Sequence, residues 1–219
     1  MEEFYEDKLQ ELIFQGENSR IEFKRKFTTP TKIAKEISAF ANTKGGYIIF
    51  GIDDDGSVYG VPSEKSEMDL IDTASGFYLD PPLELNIYVV NYKYRDVVVV
   101  EVPESEIKPI KVLDEPDNKK TSYKVYIRVG EQSVHASSEM ARVLKGQSSD
   151  EPLKMIVGEK EKGLLTFIEK NGRATVADFQ KLCNISKRRA ERLMVRLVRA
   201  GVLQIHHDSG PDYFTIIGK

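Results

Sequence analysis

Acidic side chains at two places in the first quarter of the chain have the right chemistry to bind a metal ion. Glu17 and Glu22 come just before or beside three basic residues, Lys24, Arg25 and Lys26. Three consecutive aspartates, Asp53 to Asp55, follow a short apolar stretch. Carboxylates that converge beside basic side chains could hold a divalent metal against a phosphodiester. Carboxylates are also common in solvated turns, and the residues alone leave both interpretations open.

A second concentration of charge lies on a predicted helix near the C-terminus, over residues 187–200. Its apolar positions have the spacing of a buried face: Ala190, Leu193, Met194, Leu197 and Val198. Its other side is basic, with Glu191 as the single acid: Lys187, Arg188, Arg189, Arg192, Arg196 and Arg199. A recognition helix needs an apolar face for docking and a donor-rich face for phosphates and base edges. We therefore expect this helix to contact nucleic acid, the alternative being a solvated basic surface.

Other catalytic signatures are missing from the sequence. It contains no G-x-x-x-x-G-K-[ST] phosphate-binding loop, and its three histidines have no nucleophile elbow near them. His206 and His207 are adjacent, but neighbouring residues of a strand point to opposite faces, which favours two surface histidines over a metal pair. The single cysteine, Cys183, excludes an intrachain disulfide and a multi-cysteine metal site.

Apolar periodicity predicts the elements that would position the acidic residues. A helix is predicted over 2–14, and a short strand contains Ile21 and Phe23. Thr29 and Pro30 are typical of a helix cap and first turn, and an Asp-Gly pair after the core strand 47–50 indicates a hairpin. The other predicted elements are a helix over 63–79, strands over 83–91, 96–102 and 123–129, and a helix from Ser137 or Ser138 to Lys145.

The last part of the chain has the pattern of three helices and a hairpin. The predicted helices cover 153–170, 176–182 with Thr175 as cap, and 187–200 with Ser186 as cap. Strands over 202–205 and 213–217 enclose a hairpin tip at 206–210, which would be the wing. This order is typical of a winged helix-turn-helix domain.

Composition and charge divide the chain into two parts. We predict an α+β fold with a first domain over 1–146, a linker over 147–152 and the winged helix over 153–219. Residues 1–150 contain 19 Lys+Arg against 27 Asp+Glu, a net charge of −8. Residues 151–219 contain 13 against 8, a net charge of +5, which suggests that the basic part meets a polyanion.

The sequence predicts a cytoplasmic protein that does not bind membranes. The acidic N-terminal residues lack the basic and apolar regions of a signal peptide. No apolar run approaches the roughly 18 residues that a membrane-spanning helix needs.

Several motifs in the first domain resemble the Schlafen-type Alba-2 domain over roughly residues 8–146. They read Glu17-x4-Glu22-Phe-Lys24, Ala39-Phe-Ala41-Asn42-Thr43-x-Gly45-Gly46, Gly51-Ile52-Asp53 and Tyr126-Ile-Arg128-x-Gly130. The resemblance implies an α+β fold that is distantly compared with the Alba nucleic-acid-binding proteins. Many prokaryotic members look like transcriptional regulators with a C-terminal winged helix. The family's former label as a divergent AAA ATP-binding domain is not carried over, because the phosphate motif is missing.

The same resemblance implies specific site residues. Some Schlafen proteins cleave structured RNA with two glutamates and an aspartate, and Glu17, Glu22 and Asp53 match them as catalytic residues and ligands of Mn²⁺ or Mg²⁺. Those nucleases use two lobes, so this chain would need a homodimer to rebuild their arrangement. The basic residues of the motifs would contact nucleic acid: Lys24, Arg25, Lys26 and Arg128.

Our leading hypothesis is a DNA-binding transcriptional regulator, a non-enzymatic homodimer without a cofactor that prefers DNA to RNA. In it, the winged helix contacts duplex DNA, and the first domain dimerises or binds a ligand or nucleic acid. The alternative is a metal-dependent endoribonuclease that uses Glu17, Glu22 and Asp53. A third class, a protein-interaction module, would suit the net negative charge of the first domain.

Overall fold

The computed structural model describes residues 6–114, 122–147, 158–208 and 210–218. The chain folds into two compact units, which we call unit 1 (Met1–His135) and unit 2 (Ala136–Lys219). Within the described ranges, no helix is sufficiently long and apolar to span a membrane.

Unit 1 has a mixed α+β composition, as predicted. Its helices are α1 (Glu6–Gln15), α2 (Pro30–Asn42) and α3 (Glu64–Phe77). Its strands are β1 (Ile21–Lys24), β2 (Gly46–Phe50), β3 (Leu79–Asp80), β4 (Asn86–Tyr92), β5 (Arg95–Val102), β6 (Lys111–Asp114), β7 (Ser122–Val129) and β8 (Gln132–His135).

The strands of unit 1 form two four-stranded sheets. The first has the order β1-β2-β5-β4, with β1 parallel to β2 and the other pairs antiparallel. The second has the order β3-β6-β7-β8 and is antiparallel throughout. Apolar residues of α1 cover one face of the first sheet, and those of α2 and α3 cover the other. Burial on both faces explains why β5 has a continuous run of valines rather than an alternating pattern.

Helix α2 connects the two sheets. Thr29 caps it as predicted, and the Thr29 Oγ1 accepts a hydrogen bond from the Lys32 N–H at 3.3 Å. At its other end the buried Asn42 side chain donates to the carbonyls of Ile110 and Tyr126 at 2.8 and 2.9 Å. Its Oδ1 accepts from the Ile110 N–H at 2.7 Å. The motif asparagine therefore pairs backbone groups of β7 and of the segment before β6.

The two glycines after α2 are required by close backbone packing. Gly45 has a φ of +66°, and a Cβ built there would lie 2.6 Å from the Val102 carbonyl oxygen. A Cβ on Gly46 would lie 2.4 Å from the Arg20 carbonyl oxygen. A side chain at either position would therefore push apart neighbouring strands of the first sheet.

Unit 2 is a helical unit with a small sheet. Its elements are α4 (Ser138–Gln147), α5 (Glu159–Asn171), β9 (Ala174–Thr175), α6 (Val176–Cys183), α7 (Lys187–Arg199), β10 (Leu203–His206) and β11 (Tyr213–Ile216). The antiparallel hairpin β10-β11 pairs on its other side with β9. One apolar core lies between α5, α6, α7 and this sheet.

The division between the units differs from the predicted boundaries. Helix α4 belongs to unit 2, because its Val143 and Leu144 are buried and its Arg142 pairs with Glu191 of α7. The predicted linker over 147–152 lies outside the described residues except for Gln147, the last residue of α4, and so does the predicted helical start at 153–157. Four short strands were not predicted: β3, β6, β8 and β9.

Candidate nucleic-acid interface and acidic cluster

Helix α7 separates apolar and basic side chains as its sequence predicts. Ala190, Met194 and Leu197 are fully buried in the core of unit 2. Ser186 occupies the N-cap position, but its side chain makes no capping hydrogen bond. The anchoring of the helix therefore comes from its apolar face.

The basic face of α7 is open to solvent. The exposed residues are Lys187, Arg188, Arg189, Arg192 and Arg196. Arg189, Arg192 and Arg196 line a surface pocket together with Leu193, so these three guanidiniums border the same concave surface. Arg199, in the last turn, is half-buried. An array of guanidiniums on one exposed helix face can donate hydrogen bonds to phosphates and base edges.

The one acid of α7 is turned away from this face. Glu191 is buried, and its carboxylate accepts from the Arg142 guanidinium of α4 at 2.7 Å. Its other oxygen lies 3.9 Å from the Lys187 ammonium. Glu191 therefore pairs with Arg142 of α4 rather than with the arginines of the outer face.

The two adjacent histidines in the hairpin region after α7 contact different residues. His206 Nε2 lies 2.8 Å from Thr215 Oγ1, and the His206 ring stacks on Tyr213 with centroids 4.8 Å apart. His207 Nδ1 lies 2.6 Å from Asp212 Oδ1. The two imidazoles therefore do not form a shared site, in agreement with the strand geometry expected from the sequence.

In unit 1, Glu17 lies in a negative environment. Its Oε1 accepts a hydrogen bond from the Phe23 N–H at 2.8 Å. Burial raises the pKa of Glu17, and the nearby carboxylates of Glu22 and Asp54 raise it further. Asp54, which was not among the predicted metal ligands, is the aspartate whose charge contributes to the raised pKa of Glu17.

Glu22 is bound by two cations. Its carboxylate pairs with Lys24 and accepts from the Arg128 Nη1 at 2.9 Å. Arg128 also donates to the Asn18 carbonyl at 2.7 Å and lies 3.3 Å from Glu36. Hydrogen bonds to a guanidinium and an ammonium leave this carboxylate little capacity to ligate a metal ion.

The third predicted carboxylate lies beside a different cation. Asp53 Oδ2 is 3.5 Å from the Arg25 guanidinium. Asp55 accepts hydrogen bonds from Ser57, which lower the pKa of Asp55. Across the described part of the chain, no group of three His, Cys, Asp or Glu side chains has an arrangement that could hold a metal ion. Glu17, Glu22 and Asp53 do not fit a Mn²⁺ or Mg²⁺ site in this arrangement.

The predicted basic residues of unit 1 have different environments. Lys24 is half-buried, whereas Arg25 and Lys26 are exposed. The Arg128 side chain is fully buried, and its guanidinium lies 4.5 Å above the Phe40 ring. A direct contact of Arg128 with nucleic acid is incompatible with this burial, so the prediction that Arg128 binds nucleic acid is wrong.

Sequence reasoning missed two members of the cluster around Arg128. Glu36 of α2 and Ser133 of β8 hydrogen-bond to each other and to Arg128. Burial raises the pKa of Glu36, and the Glu22 carboxylate adds to this effect. The available signal was the position of Glu36 beside the apolar stripe of α2, between Ile33 and Phe40.

Comparisons with known proteins found one family model and similar solved structures. A family model described as Schlafen, AlbA_2 matches residues 17–137, more than half of the chain. Two solved structures are similar at low identity. The DIP2311 protein from Corynebacterium diphtheriae is 18% identical with a TM-score of 0.47, over 74% of this chain and 37% of that protein. The N-terminal domain of a RecG-related protein from Nitrosomonas europaea is 19% identical with a TM-score of 0.42, over 68% of this chain and 94% of that domain.

Proposed function

The chain belongs to the Schlafen AlbA_2 family, and from that premise we propose that it is a nucleic-acid-binding protein whose unit 2 contacts duplex DNA. The observation that carries this proposal is the exposed basic face of α7, with Arg189, Arg192 and Arg196 around one surface pocket. A helix with such a face can enter the major groove while its apolar side stays docked.

Two further features of unit 2 support a winged helix-turn-helix role. A short turn over 184–186 connects α6 to α7, and the hairpin β10-β11 follows α7. The region 151–219 has a net charge of +5, which favours association with a polyanion. We propose that α7 is the recognition helix, that the hairpin tip contacts the backbone, and that the protein acts as a transcriptional regulator.

The test uses the full-length protein and a labelled duplex in fluorescence anisotropy at several salt concentrations. We expect Arg192→Ala and Arg196→Ala each to weaken binding at least about fivefold and to reduce the salt slope by about 1. Lys162→Ala on α5, which removes an exposed lysine paired with Glu159 at 3.1 Å, is the matched control. Equal affinity of Arg192→Ala, Arg196→Ala and wild type would contradict the proposal. Binding stoichiometry in the same titration tests the expected homodimer.

The endoribonuclease alternative stays a prediction with its own test. Structured RNA would be incubated with wild type and with Glu17→Gln in the presence of Mn²⁺. The two cations on Glu22 and the Arg25 partner of Asp53 lead us to expect no cleavage by either protein. Cleavage by wild type that disappears in a folded Glu17→Gln would establish the enzyme and require the carboxylates to rearrange.

A further inference from the structure

The turn between β4 and β5 holds a tyrosine in a conformation that tyrosine disfavours. The strands pair out to Tyr92 and Arg95, which leaves a two-residue turn, Lys93-Tyr94. Both turn residues have positive φ, 51° at Lys93 and 63° at Tyr94. Turns of this type normally contain Asn-Gly or Asp-Gly, because other side chains crowd the backbone in the left-handed region.

Packing does not explain why a tyrosine occupies this position. The Tyr94 side chain is 99% exposed, the largest exposure among the large hydrophobic residues of the described chain. Its neighbour Lys93 has its ammonium 4.9 Å from the Tyr92 ring centroid, so that side chain lies against the strand. A bulky aromatic kept in a strained and fully solvated position suggests a role in binding.

A second aromatic residue, Tyr59, contacts Arg95, the residue that follows this turn. The Arg95 guanidinium donates to the Tyr59 carbonyl at 2.9 Å. The Arg25 guanidinium lies 4.0 Å from the Tyr59 ring centroid, and Tyr59 is 44% exposed. Tyr59 is also fixed by its backbone, because its N–H donates to the Gly51 carbonyl at 2.8 Å.

The strand register brings these residues to one edge of the first sheet. Lys24, the last residue of β1, is opposite Phe50, the last residue of β2. Phe50 is in turn opposite Val98, so the β4-β5 turn extends beyond the ends of β1 and β2. Arg25 follows β1 directly, and the segment that carries Tyr59 follows β2. We call the set Arg25, Tyr59, Lys93, Tyr94 and Arg95 the hairpin-edge cluster.

We propose that the hairpin-edge cluster binds single-stranded nucleic acid, with Tyr94 and Tyr59 stacking on unpaired bases. Aromatic rings combined with Lys and Arg side chains are the recurring composition of single-strand sites. Lys93, Arg95 and Arg25 supply the positive charge for phosphates.

The acids at the same edge favour a single strand over a duplex. Asp53 lies beside Arg25, Asp54 and Asp55 follow it, and Asp96 accepts from Asn91 at 2.8 Å. These carboxylates oppose the dense phosphate array of a duplex, whereas stacking needs unpaired bases that a duplex does not offer. The site lies in unit 1 and is separate from the α7 contact with duplex DNA.

The first test is Tyr94→Asn in the full-length protein, with labelled oligothymidylate and oligouridylate in fluorescence anisotropy. Asparagine adopts the left-handed region readily, so the turn is preserved or stabilised. Loss of one stacked base predicts an affinity decrease between about 5- and 100-fold. Phe77→Asn, which removes a 79% exposed aromatic from the end of α3, is the matched control and should bind as wild type.

A spectroscopic test separates stacking from a purely electrostatic contact. The chain contains no tryptophan, so Tyr94→Trp introduces a single reporter. We expect this variant to keep wild-type affinity and its fluorescence to be quenched when oligothymidylate binds. Unchanged tryptophan fluorescence at saturation would contradict stacking at this position.

The two proposals can fail independently. Tyr94→Asn should weaken binding of single strands and leave duplex affinity unchanged, whereas Arg192→Ala should weaken binding of the duplex. The present inference is overturned if wild type does not bind single strands at low salt, or if Tyr94→Asn binds them as wild type does. Neither result would affect the test of α7 with duplex DNA.

Discussion

Arginines in the two units have opposite surroundings. In unit 1, the Arg128 guanidinium is fully buried and binds Glu22, Glu36 and a backbone carbonyl. In unit 2, Arg192 and Arg196 are exposed on α7, and the nearest acid of the helix is turned inward. The same type of side chain therefore stabilises the fold in one unit and is exposed to solvent in the other.

The contrast between Arg128 and the arginines of α7 shows that a basic residue in a family motif need not lie on a binding surface. Arg128 lies in a motif of a family that is compared with nucleic-acid-binding proteins, yet its surroundings give it a structural role. Its N–H also donates to Thr43 Oγ1 at 3.0 Å, which ties β7 to the end of α2. The motif residues Asn42, Thr43 and Arg128 thus hold the two sheets of unit 1 together. The arginines of α7 lie outside these motifs, and it is their exposure that favours contact with nucleic acid.

The largest expected effect follows from breaking the buried cluster. Arg128→Ala would leave Glu22 and Glu36 in a buried site without their guanidinium partner. Removing one member of a buried ion pair typically costs about 3–5 kcal/mol. We therefore expect unit 1 to unfold at markedly lower denaturant concentration. Hydrogen–deuterium exchange of peptides from β1 and β7 would measure this separately from unit 2.

An exposed arginine of the same unit provides the control. The Arg25 side chain is 58% exposed and lies 3.5 Å from Asp53. An exposed ion pair contributes about 0.2–1 kcal/mol, so Arg25→Ala should leave exchange in unit 1 nearly unchanged. If Arg128→Ala were as mild as Arg25→Ala, the structural role assigned to the buried guanidinium would be wrong.

A smaller effect is expected from changing Glu191, which contacts both Arg142 of α4 and a residue of the basic face, Lys187. Glu191→Gln keeps the shape of the side chain but removes the charge that Arg142 and Lys187 face. The loss of a charged hydrogen bond should destabilise unit 2 by about 1–2 kcal/mol. The same change makes α7 more positive, so duplex DNA should bind more tightly and with a steeper salt dependence.

Glu159→Gln is the matched control for the lower stability and tighter DNA binding expected of Glu191→Gln. Its side chain is 91% exposed on α5 and pairs only at the surface, with Lys162. We expect it to change neither stability nor DNA affinity measurably. Weaker DNA binding by a folded Glu191→Gln would show that α7 does not contact phosphate.

Local signals predicted the helices well. The caps at Thr29 and Thr175 are present, and Thr175 forms a reciprocal capping box with Asp178. Such signals are readable because the interacting groups lie within one turn of each other. The apolar stripe of α7 was equally visible, because its period matches the helix. The positive charge on the opposite face of α7 could be predicted from the same helical period.

Long-range partners explain what the sequence could not predict. Arg128 is 106 residues from Glu22 and 92 from Glu36, so no local pattern indicates that they meet. The strands β3 and β9 have two residues each and exist because a neighbouring strand pairs with them. Helix α4 was predicted correctly, but its assignment to unit 2 depends on the side chains that it packs against.

The smallest expected effect concerns pH, and it differs in sign between the units. In unit 1, Glu67 is buried with its Oε2 unpaired among the described residues. Burial raises the pKa of Glu67 above its ordinary 4.5, so the folded state binds the proton more tightly than the unfolded state. The stability of unit 1 therefore falls as pH rises from 4.5 through the raised pKa. Glu67→Gln should raise stability at pH 7 slightly and flatten this dependence.

In unit 2, the pKa of Asp178 is changed in the opposite direction to that of Glu67. Its carboxylate accepts from the Thr175 N–H at 2.9 Å and from the Thr175 hydroxyl at 2.7 Å, and these bonds lower the pKa of Asp178 below its ordinary 3.8. Its contribution is complete above pH 3.8 and is lost as pH falls through the lowered pKa. After correction for the intrinsic pH dependence of amide exchange, acidification from pH 7 to pH 4.5 should therefore increase protection in α3, more in wild type than in Glu67→Gln, while protection in α6 stays constant. Lower corrected protection of α3 over this range would mean that ionised Glu67 stabilises unit 1, contrary to the burial of its Oε2 without a partner among the described residues.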